Sequence, residues 1–252
     1  MSRSFKAWNA LKGILCIYKP PDIPLMSLAP KIEKNLLNDL NHSFLPISMK
    51  HPQRYSSHPR VIGREFYEPD DLSIKFVTDN PRADPRYSGL VLVSVNEEEE
   101  ILLPQLDYRY LLDLRFGVNV DTGFLREGVC VLNRSRLPKP GALEKAIRSS
   151  MFSLGKEDIL RCRLKSFSSK EATLDICVLS LGIPFFLHFK DRLSHLIRSG
   201  VSIVRIRRYG IGPFSLEDAL LEKEWKYKEI AQNIQSNQAI LNRHTDAIKD
   251  IL

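Results

Sequence analysis

The chain has 252 residues, 43% hydrophobic and 27% charged, a globular composition that excludes a disordered or fibrous protein and suits one large domain or two small ones. Its apolar runs are short and broken by charge, so no segment is expected to span a bilayer and no membrane partner is expected. Thirty-seven Lys and Arg against 30 Asp and Glu leave a net charge of +7, which favours a polyanionic partner such as nucleic acid.

The first 21 residues hold Arg3, Lys6, Lys12 and Lys19 and no acidic side chain. That is the composition of an organelle import sequence, or of a basic arm over 1–12. A buried strand is predicted over 13–18, ended by Lys19-Pro20-Pro21, because proline cannot continue a ladder. Leu28, Ile32, Leu36, Leu37 and Leu40 fall at helical spacing, which predicts a helix over 27–40. The stretch 43–72, rich in Pro, His, Ser and Arg, reads as a long surface loop. Strands follow over 88–95 and 108–116, with a solvated acidic turn, 97–100, between them. Turns at Asp121-Thr122-Gly123 and Glu127-Gly128 precede a strand over 129–132.

Pro140-Gly141 introduces a short helix over 143–151. The segments 161–167 and 172–179 alternate like paired strands. A helix over 184–198 has Pro near its start and Gly200 past its end. A strand over 201–208 follows, and the chain reads as helical from Ser215 onward. The fold class expected is α+β, with a largely antiparallel, mixed sheet flanked by helices. The division expected is a basic arm over 1–12, a main domain over 13–224 with a variable loop at 43–80, and a C-terminal helix over 225–252.

The four cysteines, Cys16, Cys130, Cys162 and Cys177, form no C-x-x-C pair, which fits a reducing compartment and argues against a zinc finger. His188 and His195 stand seven apart on a predicted helix, but no cysteine or carboxylate completes a ligand set, so no metal is expected. Gly-rich nucleotide loops, G-x-S-x-G elbows and Walker patterns are absent from the sequence.

What remains is one carboxylate in an unusual setting: Arg82-Ala83-Asp84-Pro85-Arg86-Tyr87-Ser88-Gly89, directly before a predicted strand. Pro85 turns Asp84 away from the α conformation, and Arg82 and Arg86 are placed to keep it ionised. The competing reading makes Asp84 the cap of a helical turn with proline at its first position.

This loop resembles the TruB family of pseudouridine synthases, whose active-site loop has Asp, Pro, a Ser or Thr, and Gly where Asp84, Pro85, Ser88 and Gly89 stand. Further matches come in the family's order. Residues 13–20 resemble its opening strand and Lys-Pro element. Tyr108-Arg109-Tyr110 with Phe116-Gly117 and Asp121-Thr122 resembles its tyrosine segment, and Val204-Arg205-Ile206-Arg207-Arg208 its late strand ending in an arginine pair. Within the family the likeness is to the short animal mitochondrial branch. It rests on Tyr18-Lys19-Pro20-Pro21, Ser57-His58-Pro59, Phe214, Asp218-Ala219-Leu220 and a helix near Gln232-Asn233-Ile234, with no C-terminal RNA-binding module.

The resemblance implies the pseudouridine synthase fold and an enzyme that isomerises uridine in mRNA or tRNA without a cofactor. Asp84 would be the nucleophile. Tyr110 would stack on the flipped base; its competing reading is an aromatic on the buried face of a strand. Arg82 and Arg86 would contact the substrate. Lys19, Arg205, Arg207 and Arg208 would meet RNA phosphates, unless the arginines are a solvated strand edge. The family's arginine partner of the aspartate falls at Leu187, and Arg82, Arg86 and Arg192 are the candidates to replace its charge. The lysine two before the tyrosine is Tyr108, and Asp79-Asn80-Pro81 precede the loop. The alternative implied by Leu187 is a non-catalytic RNA-binding protein, an RNA chaperone or ribosome-assembly partner.

Overall fold

The computed structural model describes residues 9–43, 72–79, 83–97, 106–128, 130–132, 137–153, 159–179 and 183–249. Two apolar runs, β1 (Gly13–Lys19) and β3 (Ser88–Val95), pair antiparallel from Gly13↔Val95 to Lys19↔Gly89. All eight residues of β3 are buried, so this strand is covered on both faces and shows no alternation. The short β2 (Ile74–Phe76) pairs with the same end of β3. Before it, α1 (Leu28–Ser43) lays Leu28, Ile32, Leu36 and Leu40 into the core, each fully buried at i, i+4 spacing.

The second half of the sheet is built from β4 (Tyr108–Phe116), β7 (Ile159–Phe167), β8 (Glu171–Val178) and β9 (Val201–Ile211). The strand order is β1-β3-β9-β4-β8-β7. Every pairing is antiparallel except β3 with β9, which are parallel through Ser88↔Arg207 and Gly89↔Arg208. Gly89 stands there at φ +116, and a Cβ would lie 2.0 Å from the Arg208 carbonyl oxygen, so only glycine fits the seam. The β5 (Val118–Val120) and β6 (Cys130–Leu132) strands form a separate hairpin.

Along β4, Tyr110, Leu112, Leu114 and Phe116 are buried while Arg109, Leu111, Asp113 and Arg115 are half-exposed, the period of a strand with one covered face. The covering helices are α2 (Pro140–Ser153) and α3 (Ile183–Ile197), which bring Leu143, Ala146, Ile147, Phe186, Phe189 and Leu193 into one core with β4 and β8. A second cluster lies on the opposite side of β1 and β3. There Ile14, Cys16, Leu90 and Leu92 meet β10 (Phe214–Ser215) and α4 (Tyr227–Lys249).

The free edge of β1 is closed by polar groups rather than by another strand. Tyr18 N–H donates to the Leu220 carbonyl and Leu220 N–H to the Cys16 carbonyl, both at 2.9 Å. Cys16 N–H donates to Asn233 Oδ1, and Asn237 Nδ2 donates to the Ile14 carbonyl, both at 3.0 Å. An otherwise open sheet edge is thereby satisfied.

This pairing corrects the helix expected from Ser215. Residues 214–224 run as β10 and two 3₁₀ turns, because their backbone is needed against β9 and β1, and the helix starts only at Tyr227. Neither β2 nor β5 was expected, since three residues carry too little pattern to read. Of the expected loop 43–72, residues 44–71 lie outside the described residues, as do Glu98 to Glu100 of the acidic turn. Glu97 lies 3.8 Å from Lys12. No described helix is long and apolar enough to cross a membrane.

Candidate active site

The loop 83–87 enters β3 through a tight turn at Pro85 and Arg86. Asp84 Oδ1 accepts the Arg86 backbone N–H at 2.9 Å, the aspartate turn that a following proline favours. The side chain thus stabilises a turn, though no helical turn begins at Pro85 for it to cap, and it is not hidden, being 22% exposed. Its two oxygens also take the Arg86 guanidinium: Nε lies 2.9 and 3.0 Å from Oδ1 and Oδ2, and Nη2 bonds Oδ2. Partial burial alone would raise the Asp84 pKa. The Arg86 hydrogen bonds and charge, helped by Lys19, outweigh it and hold the carboxyl below its ordinary value.

Arg86 is itself fixed from two other directions. Its Nη1 lies 3.6 Å from Glu127, and its guanidinium carbon sits 4.3 Å over the Phe124 ring. Phe124 and Glu127 come from the turn after β5. There Thr122 Oγ1 donates to the Glu127 carbonyl at 2.9 Å, and Leu125 N–H donates to the Ile203 carbonyl at 2.7 Å.

Between this turn, the end of β1 and β9 lies a cleft of about 180 Å³, smaller than sites for drug-sized ligands. Tyr18, Arg86, Phe124, Arg126, Arg205 and Arg207 line it. Four arginines against Asp22 and Glu127 make it cationic. Asp84 is not among the lining residues and meets the cleft only through Arg86. The rings and guanidinium groups can bind an anionic, ring-bearing ligand, and an ionised carboxylate can act as an oxygen nucleophile.

The loop is held from below by Lys19. Its ammonium donates to the carbonyls of Pro20, Pro85 and Tyr87 at 3.1, 2.6 and 2.5 Å, so all three protons are used. Burial, and then the neighbouring Arg208, lower its pKa to about 8. The expectation that Lys19 meets RNA phosphate is corrected: the side chain is fully buried and clamps the loop from within.

Arg208 is corrected in the same way. It is 2% exposed, donates from Nη1 and Nη2 to Asp79 at 2.8 and 2.6 Å, and from Nε to the Leu90 carbonyl at 2.7 Å. Tyr87 donates its hydroxyl to Asp79 at 3.1 Å, completing an internal network. A strand shows its residues alternately to two faces, and Arg208 falls on the buried one.

Tyr110 lies on that face too. It is 5% exposed and packs edge-on against Phe186 at 5.0 Å, so the buried-aromatic reading describes its place and no base can stack on it in this arrangement. Arg205 is exposed and paired with Asp113 at 2.7 Å, while Arg207 reaches the cleft with its Nε buried and without a hydrogen-bond partner. Arg86 alone of the suggested partners meets Asp84 among the described residues; Arg82 lies outside them, and Arg192 is exposed on α3. Leu187 packs beside the turn at Gly123, bringing no charge there, and the buried Lys190 next to it pairs with Asp191 at 2.6 Å. Phe124, Arg126 and Glu127 carried no sequence signal beyond their turn, and only pairing with β9 brings them to the cleft.

No family model matches the sequence, and no curated protein matches it. Solved structures do. A chain of the archaeal box H/ACA sRNP Nop10-Cbf5 complex matches with a TM-score of 0.52 at 14% identity, covering 90% of this chain and 59% of that one. A chain of an H/ACA RNP bound to a substrate RNA containing 2′-deoxyuridine matches at 0.50 and 14% identity, covering 87% and 54%. A chain of a Cbf5-Nop10-Gar1 complex matches at 0.50 and 12% identity, covering 88% and 60%. This chain thus spans little more than half the length of those it matches. The mixed, mostly antiparallel sheet flanked by helices is the pseudouridine synthase fold.

Proposed function

We propose that the protein is an RNA pseudouridine synthase of the TruB type, with Asp84 as its nucleophile. One observation carries the reading: on this fold, the loop entering β3 holds an aspartate below its ordinary pKa and bonds it to Arg86, a side chain that lines a cationic cleft. A uridine flipped out of its stack costs a few kcal/mol, recovered by ring and charge contacts. Phe124, Tyr18 and the cleft arginines are placed to supply them. Asp84 attacks C1′, the bond from C1′ to N1 breaks, and the base, released as its anion, turns over. C5 then attacks C1′ and displaces the Asp84 carboxylate, the C5 proton is lost, and a proton is taken up at N1. Atoms balance without a cofactor. Arg86 takes the place of the arginine that the family resemblance assigns to Leu187, and the acid-free segment 1–21 supports mitochondrial RNA as the substrate pool.

The test is direct. Purified protein and a uridine-containing stem-loop yield pseudouridine, and Asp84→Asn abolishes the product; full activity in that variant removes Asp84 from the chemistry.

A second reading is favoured by two observations: Arg86 occupies both oxygens of Asp84, and Tyr110 is buried. It is a non-catalytic RNA-binding protein on the same fold. It expects salt-sensitive RNA binding, no isomerised uridine and indifference to Asp84→Asn.

A further inference from the structure

The helices α2 and α3 cover only one face of the strands β9, β4, β8 and β7. On the other face, no described helix lies over them. The pairing registers place Arg163, Asp175, Leu111, Arg207 and Ser88 side by side in one row across five strands. At about 4.8 Å per strand the row spans roughly 19 Å, and it ends at the cleft, which Arg207 and Ser88 line.

The charges of this face are sorted. Arg161 pairs with Asp175 at 3.2 Å, Arg205 with Asp113, and Arg109 spends Nη2 on the carbonyls of Gly212 and Phe214 at 2.7 and 2.9 Å. The carboxylates are thereby consumed. Arg163, Lys165 and Arg207 have no carboxylate within ion-pair distance among the described residues, and Arg163 and Lys165 are exposed. Lys165 is the extra residue at the irregularity between Leu164 and Ser166. Beside the row, the half-exposed Tyr209 is anchored by its hydroxyl donating to Asp175 at 2.7 Å, which leaves a fixed ring among cations. Unpaired cations interleaved with a fixed aromatic match a single nucleic-acid strand, whose phosphates and base faces need those two groups.

We propose that the RNA strand adjoining the flipped nucleotide leaves the cleft at Arg207 and crosses the open sheet face to Arg163 and Lys165 on β7. This rests on the pseudouridine synthase reading, and adds where the substrate lies beyond the target base. The partner is single-stranded RNA, bound through its backbone.

The experiment measures binding of a labelled 15-nucleotide uridine-containing RNA and of a trinucleotide to the full chain over a range of salt. The variants are Arg163→Gln/Lys165→Gln and a charge-matched control on exposed residues elsewhere, Lys34→Gln/Lys228→Gln. The first is expected to weaken binding of the long RNA roughly tenfold and to reduce its salt slope by about 1.4, two phosphate contacts. Trinucleotide binding is unchanged, the control stays near wild type, and Arg163→Lys retains most of the affinity. Equal losses in both double variants, or an unchanged slope, overturn the track. The same samples are assayed for pseudouridine. A protein that isomerises uridine yet ignores the β7 changes loses the track alone. One that binds through β7 but never forms pseudouridine loses the catalytic reading alone, and binding an acidic peptide in preference to RNA overturns both.

Discussion

Arg86 grips both carboxylate oxygens of Asp84, two residues before it, across the turn made by Pro85. The same guanidinium lies 3.6 Å from Glu127, so a second carboxylate is on hand when the first is needed by substrate. One side chain therefore sets the charge of the proposed nucleophile.

Replacing it gives the first prediction. Without the guanidinium, burial pushes the Asp84 pKa upward. The acid limb of the kcat/KM profile in Arg86→Gln moves to higher pH, and Arg86→Lys moves it less. Stability follows the same sign. A carboxyl with a depressed folded pKa stabilises above its unfolded pKa and loses that contribution as pH falls through the folded value. The stability gap between wild type and Arg86→Gln, read from urea midpoints, is largest near pH 7 and closes towards pH 3.

Lys19 gives a slope of the same sign, but at alkaline pH. Its folded pKa of about 8 lies below the ordinary 10.5, so the unfolded chain binds the extra proton between those values. This group makes the wild type gain stability as pH rises from about 8 to 10.5, by roughly 3 kcal/mol in all. Lys19→Met lacks that rise. At pH 7 it also leaves the Tyr87 carbonyl without its ammonium donor and the Pro85 carbonyl with the Asp22 N–H alone, costing about 2 kcal/mol and the order of the loop. Denaturant midpoints of both proteins across pH check the two effects.

Arg208 and Asp79 behave as an internal pair rather than as a surface cation and its neighbour. Arg208→Met is expected to cost about 3–5 kcal/mol, since Asp79 is left buried and unpaired. Asp79→Leu/Arg208→Met recovers part of that loss. Below its melting temperature the double variant keeps the wild-type salt slope for RNA, whereas Arg207→Gln reduces it. Thermal melts and anisotropy titrations separate these outcomes.

The seam glycine admits no side chain. Gly89→Ala sets a methyl group 2.0 Å from the Arg208 carbonyl at a left-handed φ, so β3 and β9 must part. A loss of about 3 kcal/mol or more is expected, with β3 amides exchanging faster than those of β8.

Periodicity made most of the sheet and α1 to α3 legible, because β1, β3, β4, β8 and β9 each carry long apolar or alternating runs. The loop at Asp84 was legible from its residues and neighbours. The facing of the cations was not. Period-two spacing separates Arg207 from Arg208, but nothing local says which face a helix will cover, and α3 covers the face of Arg208 and Tyr110. Phe124, Arg126 and Glu127 escaped for a related reason. They come from a turn pinned to β9, some eighty residues away in sequence, and tertiary pairing leaves no local trace. Ser215 to Leu220 read as the start of a helix because their edge-closing bonds are equally non-local.

The parallel contact of β3 with β9 joins residues more than a hundred positions apart through only two rungs. Such a junction forms late, since a long loop must close before it yields any gain. During synthesis, β1 and β3 can pair as a hairpin-like unit while β9 is still missing. Asp84 and Arg86 then exist as a finished turn with no cleft beside them. The turn of the proposed nucleophile is made early and the cleft last, so a nascent chain holds the tool without the vice.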